Sequence, residues 1–168
     1  MIQKQILKFN KDHVCIGKSK KGYGQCYFAK KNFKPGEVVL MTHSKIFSDH
    51  QTKHISVQIG LKKHFLPNPW TGRFLNHSCR PNCYITTRED GFPDLVAWKR
   101  IKKGDEITFG YYMTEYEWAP GSHENFTRCR CGAPKCRGKI LSFSELSSKE
   151  KKQYEKLLST YLKEKVSG

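Results

Sequence analysis

Short apolar runs dominate the first two thirds of the chain, and their patterns predict β-strands. Residues 6 to 33 are expected to form short strands around a Gly-rich turn, with Val14–Ile16 before the turn and Gln25–Ala29 after it. Glu37–Met41 is a largely apolar run, and His54–Ile59 alternates with a period of two, as a half-buried strand does.

The segments that follow predict a hairpin and one more strand. Tyr84–Thr87 and Asp94–Trp98 flank Asp90-Gly91, a dipeptide typical of tight turns. Ile107–Phe109 is a further strand candidate. Because these segments are short and closely spaced, they leave little room for helices before residue 140. The sequence therefore predicts a mainly β fold with a helical C-terminal end.

The pattern becomes helical near the C-terminus. Ser147 and Glu150 have the spacing of a capping box. Apolar residues then recur at helical spacing: Tyr154, Leu157, Leu158, Tyr161 and Leu162. This pattern predicts one C-terminal helix, which either packs on the domain or binds a partner. Packing on the domain is the simpler interpretation.

Composition indicates one folded domain. The chain has 168 residues, of which 37% are hydrophobic and 12% aromatic, enough for a modest core. Its apolar runs all stay short of the roughly 18 residues that span a bilayer, and Met1–Lys8 lacks the apolar run of a signal peptide. We therefore expect no membrane partner, and a location in the cytoplasm, or in the nucleus if the protein is eukaryotic or delivered to a host.

The charge of the chain is strongly positive. A net charge of +16 at pH 7 attracts nucleic acid, acidic surfaces or anionic cofactors over a long range. The basic residues are dispersed along the chain, so a solvated basic surface explains them equally well. A nucleic-acid partner is therefore one alternative, and nothing in the sequence indicates an oligomeric state.

The cysteines indicate a metal site. Cys129, Cys131 and Cys136 fall within eight residues, and in a chain without a signal peptide this spacing favours a metal over disulfides. Structural zinc takes four ligands in a tetrahedron, commonly all cysteine, so a fourth ligand must come from elsewhere. An independent zinc knuckle and three unligated thiols are the alternatives.

Three segments, in this order, carry a family resemblance: Gly72–Asn82, Gly104–Tyr111 and Cys129–Cys136. Together they resemble the SET-domain protein lysine methyltransferases with a zinc-binding post-SET tail, and the pattern is nearer to the short SET proteins found outside the chromatin enzymes. The resemblance extends from about Lys18 to Lys139. It implies a SET-type fold of several small sheets with a pseudoknot, S-adenosylmethionine as cofactor and a structural zinc ion.

The resemblance also completes the metal site. In the family, the cysteine that follows Asn-His-Ser supplies the fourth thiolate, and here that residue is Cys79. Cys83 lies close in the sequence and is the substitute ligand. A tail held partly by the core would be clamped beside the active site.

The implied cofactor site combines a glycine turn with the central motif. Glycine lets the backbone approach a ligand closely because it has no Cβ, and an Asn offers both a donor and an acceptor for an α-amino acid moiety. The implied cofactor-binding residues are Lys20, Gly22, Tyr23, Gly24, Arg73, Asn76, His77 and Tyr111. Alternatively, the glycine turn merely joins two strands, and Arg73 is only a solvated surface residue.

The implied catalytic residue is Tyr111, whose hydroxyl would orient the methyl group and the acceptor amine. Phe109, Tyr112 and Tyr116 are expected to line the substrate channel. A Phe at position 109, where the family also places Tyr, leaves room for more than one methylation. The family usually has Asp before the catalytic tyrosine, whereas this sequence has Gly110.

The sequence thus predicts an S-adenosylmethionine-dependent methyltransferase that acts on a lysine ε-amine of a protein, such as a histone or another basic protein. The expected segments are residues 1–115 for the SET domain, 116–140 for the post-SET zinc segment and 141–168 for a C-terminal helical extension. The alternatives are methylation of a small-molecule amine and a catalytically silent zinc-containing module that binds chromatin or nucleic acid.

Overall fold

The structure is a computed structural model that describes residues 2–22, 24–47, 56–118 and 128–167. Most of the regular structure consists of short strands. In chain order the elements are α1 (Ile2–His13), β1 (Val14–Lys18), β2 (Gln25–Ala29), β3 (Val38–Met41), β4 (Ile46–Phe47), β5 (Val57–Gly60), β6 (Lys63–Phe65), β7 (Asn76–His77), β8 (Cys83–Thr87), β9 (Pro93–Ala97), β10 (Thr108–Phe109), a 3₁₀ helix (Tyr111–Met113), α2 (Ser148–Tyr154), a second 3₁₀ helix (Glu155–Leu157) and α3 (Thr160–Ser167).

The strands form four small sheets within the described residues. The pairs β1–β2 and β7–β10 make two of them, and the triplets β3–β9–β8 and β4–β6–β5 make the others. Strands β8 and β9 form the predicted antiparallel hairpin, with Ile85 opposite Leu95. The prediction of a mainly β fold built from several small sheets is therefore confirmed.

The prediction of strands from residue 6 onward is wrong for its first part, because α1 occupies the chain up to His13. Ile6 and Asn10, one helical turn apart, are both buried. The Asn10 side chain donates to the carbonyls of Met41 and Trp70, both at 2.7 Å, and accepts from the Met41 N–H at 2.8 Å. A buried, fully bonded Asn thus holds the helix against β3 and the turn at Trp70.

The C-terminal segment also differs from the single helix expected. Ser147 forms the predicted capping box with Glu150, but the chain becomes extended at Leu158, with φ −79° and ψ 157°. Leu158 is buried, and the N–H of Ser159 donates to the Met113 carbonyl at 2.9 Å. The helix breaks because the backbone here bonds to the core and not to its own turn.

One hydrophobic core includes residues from the sheets and from the C-terminal segment. Tyr27, Leu40, Ile85 and Leu95 belong to it, and so does Leu162 of α3. The C-terminal segment therefore packs on the domain, as the simpler interpretation expected. The division at residues 115 and 140 stays a prediction. No helix among the described residues is long and apolar enough to cross a membrane.

Candidate active site and metal centre

Two short parallel strands bring the central motifs together. β7 pairs with β10 so that Asn76 lies opposite Thr108 and His77 lies opposite Phe109. Asn82 strengthens this arrangement, because its side-chain oxygen accepts a hydrogen bond from the Thr108 N–H at 2.9 Å. The residues that follow β10 therefore begin beside His77.

Tyr111, the predicted catalytic residue, begins the 3₁₀ helix that follows β10. Its backbone N–H donates to Nδ1 of His77 at 3.2 Å, and its hydroxyl donates to the Leu75 carbonyl at 2.9 Å. Burial, and then the nearby charge of Glu115, raise the pKa of the Tyr111 hydroxyl above its ordinary value. The hydroxyl stays protonated at neutral pH, so it is a hydrogen-bond donor and not a base.

His77 connects Tyr111 to the predicted metal site. Because Nδ1 accepts from the Tyr111 N–H, the ring proton is assigned to Nε2, which lies 3.5 Å from Sγ of Cys79. Burial, with a smaller effect from the charge of Arg137, lowers the pKa of His77 to about 3. The imidazole is therefore neutral, which fits a positioning role better than acid–base chemistry.

Gly110 has a steric explanation. Its backbone is extended, with φ −88° and ψ 122°, so the conformation itself does not require glycine. A Cβ at this position would lie 2.3 Å from Cζ of Tyr112. The Tyr112 ring is fully buried and contacts the Tyr154 ring, with centroids 4.6 Å apart. The Tyr112 ring fills the space that an Asp side chain at position 110 would need.

The predicted cofactor-binding turn, at residues 20–24, has an accessible backbone. Gly22 and Gly24 have φ of +79° and +80°, the region that glycine favours. Among the described residues, no atom outside the two chain neighbours lies within 4 Å of a Cβ built at either glycine. Lys20 and Arg73 are exposed, and Tyr23 lies outside the described residues. This accessible backbone fits a cofactor that is held by main-chain groups.

Glu106 connects that turn to Asn76, and the sequence analysis missed it. Its carboxylate accepts hydrogen bonds from Ser19 Oγ and Asn76 Nδ2, both at 3.1 Å, and lies 3.9 Å from Lys21 Nζ. The sequence shows that Glu106 belongs to the Gly104–Tyr111 motif, but no local pattern shows where its carboxylate points. The structure thereby places the turn beside the central motif, as a shared cofactor site requires.

Four cysteine thiols converge at the other side of His77. Their Sγ atoms all lie within 4.8 Å of one another, and the four residues are Cys79, Cys129, Cys131 and Cys136. The Sγ atoms of Cys79 and Cys129 are 3.7 Å apart, close to the distance of about 3.8 Å between thiolates on a tetrahedral zinc with Zn–S bonds of about 2.3 Å. The donor set and its spacing fit zinc. Cys83 lies outside this cluster, buried in β8 opposite Ala97.

One thiol of the cluster, that of Cys131, has a pKa below the ordinary value for cysteine. Burial opposes ionisation of Cys131, but hydrogen bonds from the N–H groups of Cys79 and Ala133 and from the neighbouring thiols lower its pKa to about 6. Burial raises the pKa of Cys79 and of Cys129. Zinc binds thiolates, so metal binding displaces these protons and couples the cluster to folding.

Arg137 joins the cluster to the C-terminal helices. Its backbone N–H lies 3.5 Å from Sγ of Cys79, and its guanidinium stacks over the Tyr112 ring at 5.7 Å. The same guanidinium donates to Glu150 at 2.6 and 2.9 Å. Glu150 also closes the capping box with Ser147. Arg137 therefore links α2, the buried Tyr112 ring and the cysteine cluster.

The predicted channel residues lie in different places. Phe109 is buried beside Tyr111, with ring centroids 5.2 Å apart. Tyr112 is enclosed in the core. Tyr116 is half-buried and faces the C-terminal segment, with Lys165 Nζ 4.1 Å from its ring centroid. Of the three, Phe109 is the residue that we keep in the proposed channel.

Strand β5 supports the segment that follows Tyr111. The Gln58 N–H donates to Oε1 of Glu115 at 3.0 Å, and the Gln58 side-chain oxygen accepts from the Tyr116 N–H at 3.0 Å. Burial raises the pKa of Glu115 to about 7, against hydrogen bonds from Gln58 and Thr114 that lower it. An acid that titrates near neutrality thus lies close to Tyr111.

Comparison with known proteins identifies the family. Residues 24–112, more than half of the chain, match the SET domain. The chain belongs to the SET domain family. It is also similar in fold to KRYPTONITE, solved in complex with mCHH DNA, an H3(1–15) peptide and SAH, with a TM-score of 0.59 and 20% identity over 76% of this chain and 29% of that one.

Two curated relatives show what kind of protein the chain is similar to. The H3 lysine-9 specific histone-lysine N-methyltransferase KMT1 of Fusarium mangiferae is 37% identical over 99 residues, which are 53% of this chain and 28% of that protein. The H3 lysine-36 specific histone-lysine N-methyltransferase of Coccidioides immitis (strain RS) is 29% identical over 143 residues, which are 74% of this chain and 13% of that protein. The chain thus spans less than a third of the length of these relatives.

Proposed function

We propose that the chain is a protein-lysine N-methyltransferase that uses S-adenosylmethionine. The observation that carries the proposal is the assembly on β7 and β10, where Tyr111 lies between His77 and the Leu75 carbonyl, close to the turn that Glu106 joins to Asn76. The relatives named as histone-lysine N-methyltransferases support the same activity.

The cofactor is assigned to the open turn and the β7 motif. When bound, S-adenosylmethionine supplies an electrophilic methyl group on a sulfonium sulfur. Asn76 Nδ2 already donates to Glu106, which orients the amide and leaves its oxygen to accept from the ammonium of an amino acid moiety. The full proposed set is Lys20, Gly22, Tyr23, Gly24, Arg73, Asn76, His77 and Tyr111. Main-chain groups of the turn would hold the carboxylate of the S-adenosylmethionine.

The acceptor amine is assigned to the space next to the Tyr111 hydroxyl. A lysine with an ordinary pKa of about 10.4 must lose a proton before its lone pair can attack. Apolar neighbours such as Phe109 disfavour the ammonium form. In this proposal the Leu75 carbonyl and the Tyr111 oxygen, which lie 2.9 Å apart, accept hydrogen bonds from the neutral amine. Their contribution is orientation, because the displacement needs no covalent help from the protein.

The substrate is proposed to be a protein lysine, with histone H3 the first to test because of the relatives' names. A chain of net charge +16 repels a free basic tail. Nucleosomal histones, whose DNA is a polyanion, should therefore be better substrates than free histones. In a eukaryotic cell or host this substrate requires entry into the nucleus. Phe109 is expected to leave room for more than one methyl group.

A transfer assay tests the proposal. The zinc-loaded chain is incubated with methyl-labelled S-adenosylmethionine and either nucleosomes, free histones or cell lysate, and cofactor binding is measured by calorimetry. Label on lysine in protein, with mass spectrometry counting the methyl groups, is the expected result. Label that appears only in small molecules would contradict the protein substrate. If the chain binds no S-adenosylmethionine, this result would contradict the proposed enzymatic activity and favour a catalytically silent binding module.

A further inference from the structure

A basic surface next to the cysteine cluster extends beyond the residues that the proposed reaction uses. A cleft of about 470 Å³ lies between the strand β10 region and the metal loop Cys131–Pro134, and Lys20, Lys21, Arg80 and Lys99 line it. Of the residues in the proposed cofactor set, Lys20 lines this cleft and the other described ones do not. The cleft therefore borders the proposed cofactor site, with Lys20 and Glu106 at the boundary, and extends past it toward Arg80 and Lys99.

A second, smaller cleft lies next to the first. It has a volume of about 230 Å³, and Arg80 and Lys99 line it together with Trp98 and Tyr154. Both clefts are lined by Arg80 and Lys99, so they lie next to each other. We call the surface that spans the two clefts the basic track and define it by Lys20, Lys21, Arg80, Trp98 and Lys99.

The cations of the track are available to a ligand. Arg80 and Lys99 are exposed, as are Arg100, Lys102 and Lys103 just beyond. Neither Arg80 nor Lys99 takes part in an ion pair with another described residue. The two acids that also line the track are already engaged. Asp105 accepts from the Lys102 N–H at 2.8 Å, and Glu106 is bound by Ser19, Lys21 and Asn76.

Trp98 gives the track an aromatic surface at one end. The residue is 38% exposed. Its backbone N–H donates to the Asn82 carbonyl at 2.8 Å, and its ring packs edge-on against Tyr154 with centroids 6.3 Å apart. The indole is thus held in place while part of it faces solvent.

We infer that the basic track binds single-stranded nucleic acid. Lys20, Arg80 and Lys99, which form no ion pair with another described residue, can contact a phosphate backbone, and an anchored aromatic ring can stack on an unstacked base. An acidic peptide would use the cations but has no group that needs the indole. A duplex would also contact the cations, yet its bases are stacked inside and do not reach Trp98. The inference does not depend on the methyltransferase proposal.

The binding experiment uses the zinc-loaded full chain and labelled oligonucleotides of about 16 nucleotides, near the upper end of common single-strand site sizes. Fluorescence anisotropy is measured at several salt concentrations with oligo-dT, oligo-U and a duplex of equal length. Lys99→Ala and Arg80→Ala should each weaken binding and reduce the salt slope by about 0.7, the value for one lost phosphate contact on a single strand.

Trp98→Ala should weaken binding of the single strands by roughly 5- to 100-fold, as the loss of one stacked base does, and should leave duplex binding nearly unchanged. Lys8→Ala and Lys62→Ala are matched controls, because these exposed lysines and the residues next to them line neither cleft. They should change affinity by less than about twofold, as a distant screened charge does. Lys99→Glu repeats the test without touching the Trp98–Tyr154 packing, in case Trp98→Ala disturbs the fold.

Three outcomes would overturn the inference. Equal effects of Lys99→Ala and of the Lys8→Ala and Lys62→Ala controls would mean that binding reflects overall charge and not the track. A duplex that binds as tightly as single strands, with no effect of Trp98→Ala on either, would remove the stacking site. Equal competition by poly-glutamate would assign the track to acidic peptides.

Discussion

At the scale of single residues, the absence of a side chain at Gly110 and the position of the Tyr112 ring depend on each other. The ring of Tyr112 lies where a side chain at position 110 would extend, and the ring is held by Tyr154 and by the Arg137 guanidinium. The departure from the family's Asp at position 110 is therefore a change of packing next to Tyr111. The hydrogen bonds of Tyr111 itself are formed by His77 and Leu75.

This pairing predicts a strongly context-dependent substitution. Gly110→Ala should lower the free energy of unfolding by about 1–3 kcal/mol, because the added Cβ overpacks a fully buried ring. The measurement is urea denaturation of the zinc-loaded protein. In a Tyr112→Ala background the same substitution should cost much less, with a coupling of at least about 1 kcal/mol. Equal costs in the two backgrounds would contradict the pairing.

At the element scale, the 3₁₀ helix of Tyr111 is held from two directions. Strand β5 bonds to the residues after it through Gln58 and Glu115. On the other side, the C-terminal segment bonds to it, since the Ser159 N–H donates to Met113 and the Tyr161 hydroxyl donates to the Thr114 carbonyl at 2.6 Å. The C-terminal helices are thus part of the support of the candidate site.

Glu115 makes this support sensitive to pH. Its pKa is raised from 4.5 to about 7, first of all by burial. Between these two values the folded state keeps a proton that the unfolded state loses, so the contribution of Glu115 to stability falls as pH rises through this window. Glu115→Gln keeps an oxygen for the Gln58 N–H. Its melting temperature should match wild type near pH 4.5 and exceed it above pH 7.

Thermal melts across this pH range test the prediction. Glu117→Gln, which removes one exposed carboxylate nearby, is the matched control for the change in net charge and should follow wild type throughout. A constant difference between Glu115→Gln and wild type at every pH would rule out titration of Glu115 as the cause.

At the scale of the whole molecule, the metal centre joins distant parts of the chain. Cys79 comes from the central motif and the other three thiols come from residues 129–136. Arg137 continues the connection to Glu150 of α2. Few apolar residues pack against this cluster, chiefly Ala133 and Ile140, so the loop depends on the metal for its structure.

The metal prediction is about one zinc per chain, the amount that a single tetrahedral site binds. Cys131→Ser should lose the zinc and lower the melting temperature, whereas Cys83→Ala should keep it because Cys83 lies in β8 and outside the cluster. Elemental analysis of the purified variants gives the answer. If Cys83→Ala loses its zinc as completely as Cys131→Ser does, the ligand assignment is wrong.

Much of this architecture could be predicted from local patterns. The hairpin of β8 and β9, the capping box at Ser147 and the cysteine spacing all depend on neighbouring residues, which a sequence displays directly. The prediction of Cys79 as the fourth zinc ligand depended on the family resemblance, because no local spacing connects it to residues 129–136.

The remainder depends on contacts between distant residues. Helix α1 is held by Asn10, whose partners at Met41 and Trp70 lie far along the chain. The break at Leu158 follows from the bond of Ser159 to Met113. The carboxylate of Glu106 acquires its role only when the turn at Ser19 and the β7 motif meet. None of these partners is marked by a local pattern.

The central claim is that Tyr111 orients a methyl transfer, and Tyr111→Phe tests it most directly. The change removes one oxygen and leaves the ring, whose contacts with Phe109 and His77 should keep the fold. The measurement pairs single-turnover methylation with calorimetric S-adenosylmethionine binding for wild type and variant. Methylation should fall on the order of 10²–10³-fold, by analogy with the loss of one preorganised polar contact, while cofactor affinity changes only slightly. Unchanged methylation in the variant would contradict the role of Tyr111, and absence of cofactor binding in wild type would contradict the enzyme itself.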